Sequence, residues 1–312
     1  FIGEEMFNIK FRFVLLALAV TVIAPVLGMA ANNPKARETI IISDMSKCQP
    51  AYALSKVREK HRWQLIPYKG EGLDGVILGA ASLIGAPDVT LPLEVSGWYA
   101  IHIGFWNPHY ASDGSFRLKL RLTGDDCFQN ISDPVPTLQW PGWVELKETF
   151  FKYADLTGQD LIIGQHSKGY FYKAYLGYVK LVPLSDKEVA AIKKDRARKD
   201  TRMLYALSDG GGAMVKSTTR EDLMEEVEAF RHSDVKAFVF AATFGDLVQY
   251  PSKIGTPLLS EAGDAVGTPI YKSLRDGLRT LLDKGISPIR VLSEHCHQVG
   301  IEFHAMFRLA IL

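Results

Sequence analysis

The hydrophobic period of this chain changes once, across the polar stretch 187–200, and that change limits what each half can fold into. Before it, apolar residues recur at every second position. Phe116, Leu118, Leu120 and Leu122 face one way while Arg117, Lys119 and Arg121 face the other, as in a strand with one buried and one wet side. The runs 89–95, 98–106, 143–147, 160–164 and 174–182 are likewise short and rich in β-branched or aromatic residues. Turn-forming clusters separate them, such as Ser112-Asp113-Gly114-Ser115 and Thr123-Gly124-Asp125-Asp126. Many short strands spaced by such turns predict an antiparallel β-sandwich or jelly roll over 37–184.

Beyond a linker at 185–200 the pattern alternates strand with helix over 201–312. The run 202–208 reads as a strand that ends in the flexible loop Asp209-Gly210-Gly211-Gly212. Thr218 to Glu221 has the spacing of a capping box, and Leu223, Met224, Val227 and Phe230 line one face of the helix after it. The strand 237–243 is almost continuously apolar, as a strand covered on both faces should be. A long loop over 244–267 precedes two helices, one opened by Thr268-Pro269 and stopped by Gly285, the other opened by Ser287-Pro288 and stopped by Gly300. A third strand covers 301–308, with Glu302, His304, Met306 and Arg308 on one face. Strands and helices in this order predict parallel βαβ units. A polar row on one side of the last strand favours a barrel lumen over an open sheet. The expected fold class is therefore multidomain, β then α/β: a β-sandwich followed by the first βα units of a truncated TIM-like barrel. About 110 residues cannot close a cylinder that ordinarily needs about 250.

The N-terminus is of another kind. Lys10 and Arg12 precede an apolar run over 13–24, then Pro25 and the small residues Gly28 and Ala30. This is the layout of a secretory signal over 1–31, with the five residues before Met6 read as upstream of the true start, and it predicts export to the periplasm or beyond. An uncleaved anchor is the competing reading, so a membrane enters only through this segment. A formal charge of +1 on 312 residues gives no electrostatic case for nucleic acid. No Gly-rich strand-to-helix turn supports a dinucleotide, and no cofactor is expected. Three cysteines do not make a disulfide framework; Cys48 with Cys127 could bridge, or both could be free thiols. The tract His295-Cys296-His297 invites a metal, but alternate positions on a helix point about 200° apart and cannot share an ion unaided, so no metal is expected there.

Two resemblances follow from these residues. The entry Pro92-Leu93-Glu94-Val95-Ser96-Gly97-Trp98-Tyr99 and the closing strand 175–183 are similar to the galactose-binding-like jelly-roll modules of carbohydrate-active enzymes. The stretch from Gly285 to Arg308, with His297, Gly300, Glu302, His304 and Ala305, resembles the family 10-like glycosylhydrolases of bacterial envelopes, although Ser287 stands where Asp is usual and Met306 where Trp is. The resemblance implies a carbohydrate substrate and hydrolysis of glycosidic bonds, with the catalytic carboxylates beyond Leu312 and this chain inactive alone. A non-catalytic envelope protein that binds glycan or protein is the alternative. Candidate substrate contacts at strand ends and on the inner face are Asp209, Asp246, His304 and Arg308. Asp209 and Asp246 could equally cap the helices that follow them or fix their own loops. Trp140 and Trp143, held by the Pro141-Gly142 turn, are the foremost sugar-stacking candidates, with Trp106, His109 and Tyr110 behind them.

Overall fold

The computed structural model describes residues 37–70, 72–81, 84–107, 116–133, 139–140, 143–165, 172–244, 247–260 and 269–307. The signal segment read at 1–31 lies outside them. Among the described residues no helix is long and apolar enough to cross a membrane.

Eleven strands form one curled, mostly antiparallel sheet. They are β1 (Ile40–Ile42), β2 (Leu54–Ser55), β3 (Trp63–Gly70), β4 (Leu73–Ala81), β5 (Val89–Leu91), β6 (Trp98–Phe105), β7 (Phe116–Leu122) and β8 (Gln129–Asp133), then β11 (Lys147–Asp155), β12 (Leu161–Gln165) and β13 (Lys173–Pro183). Strand β13 is the spine. Its first half pairs with β4 and its second half with β6, which carries β11 outside it. On another branch β7 lies between β8 and β12, and β12 leads to β5. The short strands β9 (Gln139–Trp140) and β10 (Trp143–Val144) form a separate hairpin.

The alternation along β7 behaves as its sequence requires: all four apolar positions are buried and all three basic ones are half-buried. They enter a core shared with Trp63, Leu78, Ile101, Ile103, Phe105, Ile163 and Leu181, so strands from every branch close on one interior. Phe105 stacks on Phe116 at 4.1 Å between ring centroids. The long strands β3, β4 and β11 were not foreseen. Interior Pro67 and four glycines in 70–79 hide the strand pattern of the β3–β4 hairpin.

The polar stretch expected as a linker forms α1 (Asp186–Ala197), capped by a Ser185–Glu188 box and burying none of its residues. Beyond it, β14 (Leu204–Ser208), β15 (Val235–Ala241) and β19 (Glu302–Met306) make a three-stranded parallel sheet in that order. Helices α2 (Gly211–Lys216), α3 (Arg220–Glu228), α4 (Pro269–Asp283) and α5 (Pro288–Gln298) pack through a second core. Leu274, Leu278 and Leu281 of α4, and Leu292 and Cys296 of α5, are buried as their spacing predicts.

Three local readings need correction. Gly211 opens a helix where a flexible loop was expected, because α2 packs on α4 and that packing outweighs the poor helix propensity of glycine. Gly277 allows the approach: a Cβ there would collide with the Met214 carbonyl. The capping box sits one residue later than read, with Thr219 as cap and Asp222 closing it. The loop 244–267 contains small pairings, β16 (Thr243–Phe244) with β17 (Leu247–Val248) and β17 with β18 (Thr256–Pro257).

Candidate functional site

The curled sheet meets the helical layer along a seam, and the connection from β7 to β8 forms its wedge. Asp125 fixes that connection. Its carboxylate accepts the Leu122 N–H at 2.7 Å and the Lys152 ammonium at 2.7 and 2.8 Å. Gly124 donates its N–H to Gln159 Oε1 at 3.1 Å. The turn so held sends Cys127 into the helical core, where it packs among Leu223, Val227 and Leu292.

On one side of the wedge lies a groove of about 810 Å³, between the outer face of β11 and helix α1. Its lining combines aromatic rings (Trp98, Phe150, Tyr153) with charged groups (Asp155, Arg196, Arg231). Regular alternation would set Phe150 and Tyr153 on opposite faces of β11. A bulge prevents this: Phe150 pairs with His102 and Lys152 with Ile101, so Phe151 is an inserted residue that turns into the core of the curled sheet. Phe150 (44% exposed) and Tyr153 (36%) therefore stand together on the outer face, ring centroids 4.7 Å apart. Arg196 donates to the Tyr153 carbonyl at 2.8 Å and lies over the Trp98 ring at 5.7 Å. His232, at the groove's end, is held down at about 4 by burial and then by Arg196, Arg231 and Arg202. It is therefore neutral at pH 7.

A smaller groove of about 540 Å³ opens on the other side, lined by Asp88, Lys119, Arg121, Cys127, Asp222 and Glu225, among others. Lys119 crosses the seam to Glu225 at 2.6 Å and lies 4.0 Å from Asp222. Burial pushes the Glu225 carboxyl up to about 7, with Lys119 opposing part of that rise. Between the two grooves Glu228 accepts both Arg231 nitrogens, at 2.5 and 2.9 Å, and meets His295 Nε2 at 2.8 Å. Burial alone would raise the Glu228 carboxyl; the His295 and Arg231 hydrogen bonds outweigh it and hold the group at about 2. Burial, then the carboxylates of Glu228 and Glu225, drive the Cys127 thiol well above its ordinary value, so it stays protonated.

The residues singled out from sequence lie elsewhere. Asp209 is exposed and its carboxylate accepts the Gly211 N–H at 3.0 Å, which fixes its own loop, while Gly210 is the N-cap of α2. His304 is exposed in the middle of β19, 3.1 Å from Glu302 and 6.1 Å from the Tyr205 ring. Asp246 and Arg308 lie outside the described residues, as do His109 and Tyr110. Trp140 and Trp143 pair through their backbones, and their side chains also fall outside the description. Trp106 is buried against Tyr175 and is a packing residue. All three cysteines are free; Cys48 belongs to the core of the curled sheet and Cys127 to the helical one. Sequence reasoning missed the groove because a bulge, invisible to period counting, assembles its aromatic pair.

No protein-family model matches the chain, and no curated protein does. Two solved structures are similar to it at low level. A ruminal GH26 endo-β-1,4-mannanase shares 9% identity over 88% of this chain and 63% of that chain, with a TM-score of 0.25. The CBM22-1–GH10 modules of the Clostridium thermocellum N-terminal endo-1,4-β-D-xylanase 10B, complexed with xylohexaose, share 13% over 58% of this chain and 32% of that chain, with a TM-score of 0.17. The chain spans less than two thirds of the length of either. Superpositions this loose carry no argument about chemistry.

Proposed function

We propose that the chain binds carbohydrate in the groove along β11, as the exported, sugar-recognising part of a glycoside hydrolase-like envelope protein. The observation that carries this reading is the bulge-aligned pair Phe150 and Tyr153 beside charged groups in one groove. Sugars present apolar C–H faces and hydroxyl edges together. A recognition site therefore needs exposed aromatic faces with hydrogen-bonding groups beside them. The resemblance of 175–183 and 285–308 to carbohydrate-active families points the same way.

Binding is favoured over hydrolysis at this groove. Glycosidic cleavage needs two available carboxyl groups flanking one bond. Here Asp125 is held by Lys152, Glu228 by Arg231 and His295, Asp155 by the Thr157 hydroxyl at 2.7 Å and Asp126 by Arg231 at 3.6 Å, which leaves Asp195 of α1 as one carboxyl rather than a pair. The carboxyls raised by burial, Glu225 and Asp88, line the smaller groove instead.

Calorimetric titration with β-linked gluco-, manno- and xylo-hexasaccharides tests the proposal. Binding to at least one is expected. Losing the two stacking rings in Phe150→Ala/Tyr153→Ala should weaken it by roughly 10- to 100-fold, the equivalent of about 1.5–3 kcal/mol of apolar contact. Binding that survives the double substitution unchanged would remove the groove from consideration.

A further inference from the structure

We infer that Cys127, Glu228 and His295 form a metal site for a borderline divalent ion, best suited to Zn²⁺, which clamps the curled sheet to the helical layer. The three residues come from three separate elements, the β7–β8 turn, the end of α3 and the last turn of α5, and all are buried, at 3%, 6% and 0% exposure. Their ligand atoms converge: Nε2 of His295 lies 2.8 Å from Glu228 Oε2 and 3.9 Å from Cys127 Sγ, and all three atoms fall within 4.8 Å of one another.

The same residue types also suggest a Cys-His-Glu nucleophilic triad, and the geometry argues against it. A triad needs its acid on one ring nitrogen and its nucleophile on the other. Here thiol and carboxylate face the same nitrogen, Nε2, while Nδ1 faces Gln298 Oε1 at 3.2 Å. Donation from Nδ1 to that amide oxygen leaves the Nε2 lone pair pointing at two further donor atoms. Such an arrangement wants a cation at its centre, either a proton or a metal.

Bond lengths of about 2.0–2.3 Å in a tetrahedral zinc site place ligand atoms about 3.3–3.6 Å apart, so each need move by only about half an ångström. The surroundings suit the ion as well. Gln298 orients the imidazole, and Arg231 anchors the Glu228 carboxylate through Nε on Oε1 and Nη2 on Oε2, which leaves the second lone pair of Oε2, the one facing His295, to turn to the metal. When zinc binds, the Cys127 thiol releases its proton to solvent, and thiolate plus carboxylate balance the two positive charges. Arg231 keeps Asp126 as a counter-charge at 3.6 Å. Cys127 borders the smaller groove and Glu228 the larger one, which gives the ion a route in and leaves a fourth position for water. The tract His295-Cys296-His297 supplies only its first residue. Cys296 is buried in the core and His297 is exposed, so the tract offers no shared ion by itself, and the proposed site departs from the expectation of no metal by drawing on partners distant in sequence.

The test uses the full chain, stripped with chelator and titrated with Co²⁺ alone. One equivalent is expected, with an intense sulfur-to-cobalt charge-transfer band that Zn²⁺ then abolishes by displacement. Cys127→Ala should lose the band and bind at least 10-fold more weakly, whereas Cys48→Ala should retain it. Should Cys127→Ala fail to fold, zinc X-ray absorption on the unaltered chain decides: one sulfur at about 2.3 Å with nitrogen and oxygen at about 2.0 Å supports the site. A first shell without sulfur, no stoichiometric uptake, or a band that persists in Cys127→Ala would overturn it.

Discussion

The curled sheet and the parallel sheet use the same apolar residue types to opposite effect. In β7 every apolar side chain enters a sealed core, and Phe116, Leu118, Leu120 and Leu122 are each 0% exposed. In and beside β14, Met203, Leu204, Tyr205 and Leu207 are 76%, 60%, 57% and 66% exposed. The curled sheet supplies its own second wall, because its strands return over one another. The three-stranded sheet has helices packed on the side of Phe238 and Phe240, and among the described residues nothing covers Leu207 on the other. A strand pattern therefore states which face wants burial. It does not state whether anything is there to bury it.

The largest expected effect sharpens this comparison directly. Phe116→Ala removes a fully buried ring stacked on Phe105 and should cost about 3–5 kcal/mol of unfolding free energy in urea titration. A loss below about 1 kcal/mol would mean that the interior of the curled sheet is as loosely built as the open face.

The seam between the two regions responds to pH, in a direction fixed by its carboxyls. Glu225 is raised from 4.5 to about 7, so the folded state holds its proton more tightly than the unfolded chain. Its contribution is fully present below about pH 4.5 and is lost as pH rises to 7, on the order of 2 kcal/mol. Glu228 works the other way: lowered to about 2, it stabilises above pH 4.5, and that contribution is lost as pH falls towards 2. Glu225→Gln should flatten the stability profile between pH 5 and 7 and leave the acid limb in place. An unchanged slope in that window would show that the Glu225 carboxyl is not buried at the seam.

How much of this was legible beforehand depends on range. Period and caps are local, so β7, the buried stripes of α4 and α5, and the parallel strand order could be read from spacing. The bulge at Phe151 could not, since it is defined only by the partner strand, and the groove's aromatic pair depends on it. Nor could the meeting of Cys127 with Glu228 and His295, which lie 101 and 67 residues apart along the chain (228 minus 127; 295 minus 228). A substitute signal did exist: a small, lone cysteine straight after two aspartates in a turn is an odd choice for a solvent-facing loop. It was open to the reading that the turn points inward.

The smallest effect on stability carries the most information about the open face. Leu207→Ser alters a side chain with little to lose, so the urea midpoint should move by no more than about 0.5 kcal/mol. Its effect should appear in association. An edge strand that exposes consecutive apolar groups and an unpaired backbone invites a second copy to add to it. Sedimentation velocity across a concentration series should show the unaltered chain self-associating and Leu207→Ser doing so less. A cost for Leu207→Ser approaching that of Phe116→Ala would mean that this face is packed in solution, and the contrast between the two sheets would then collapse.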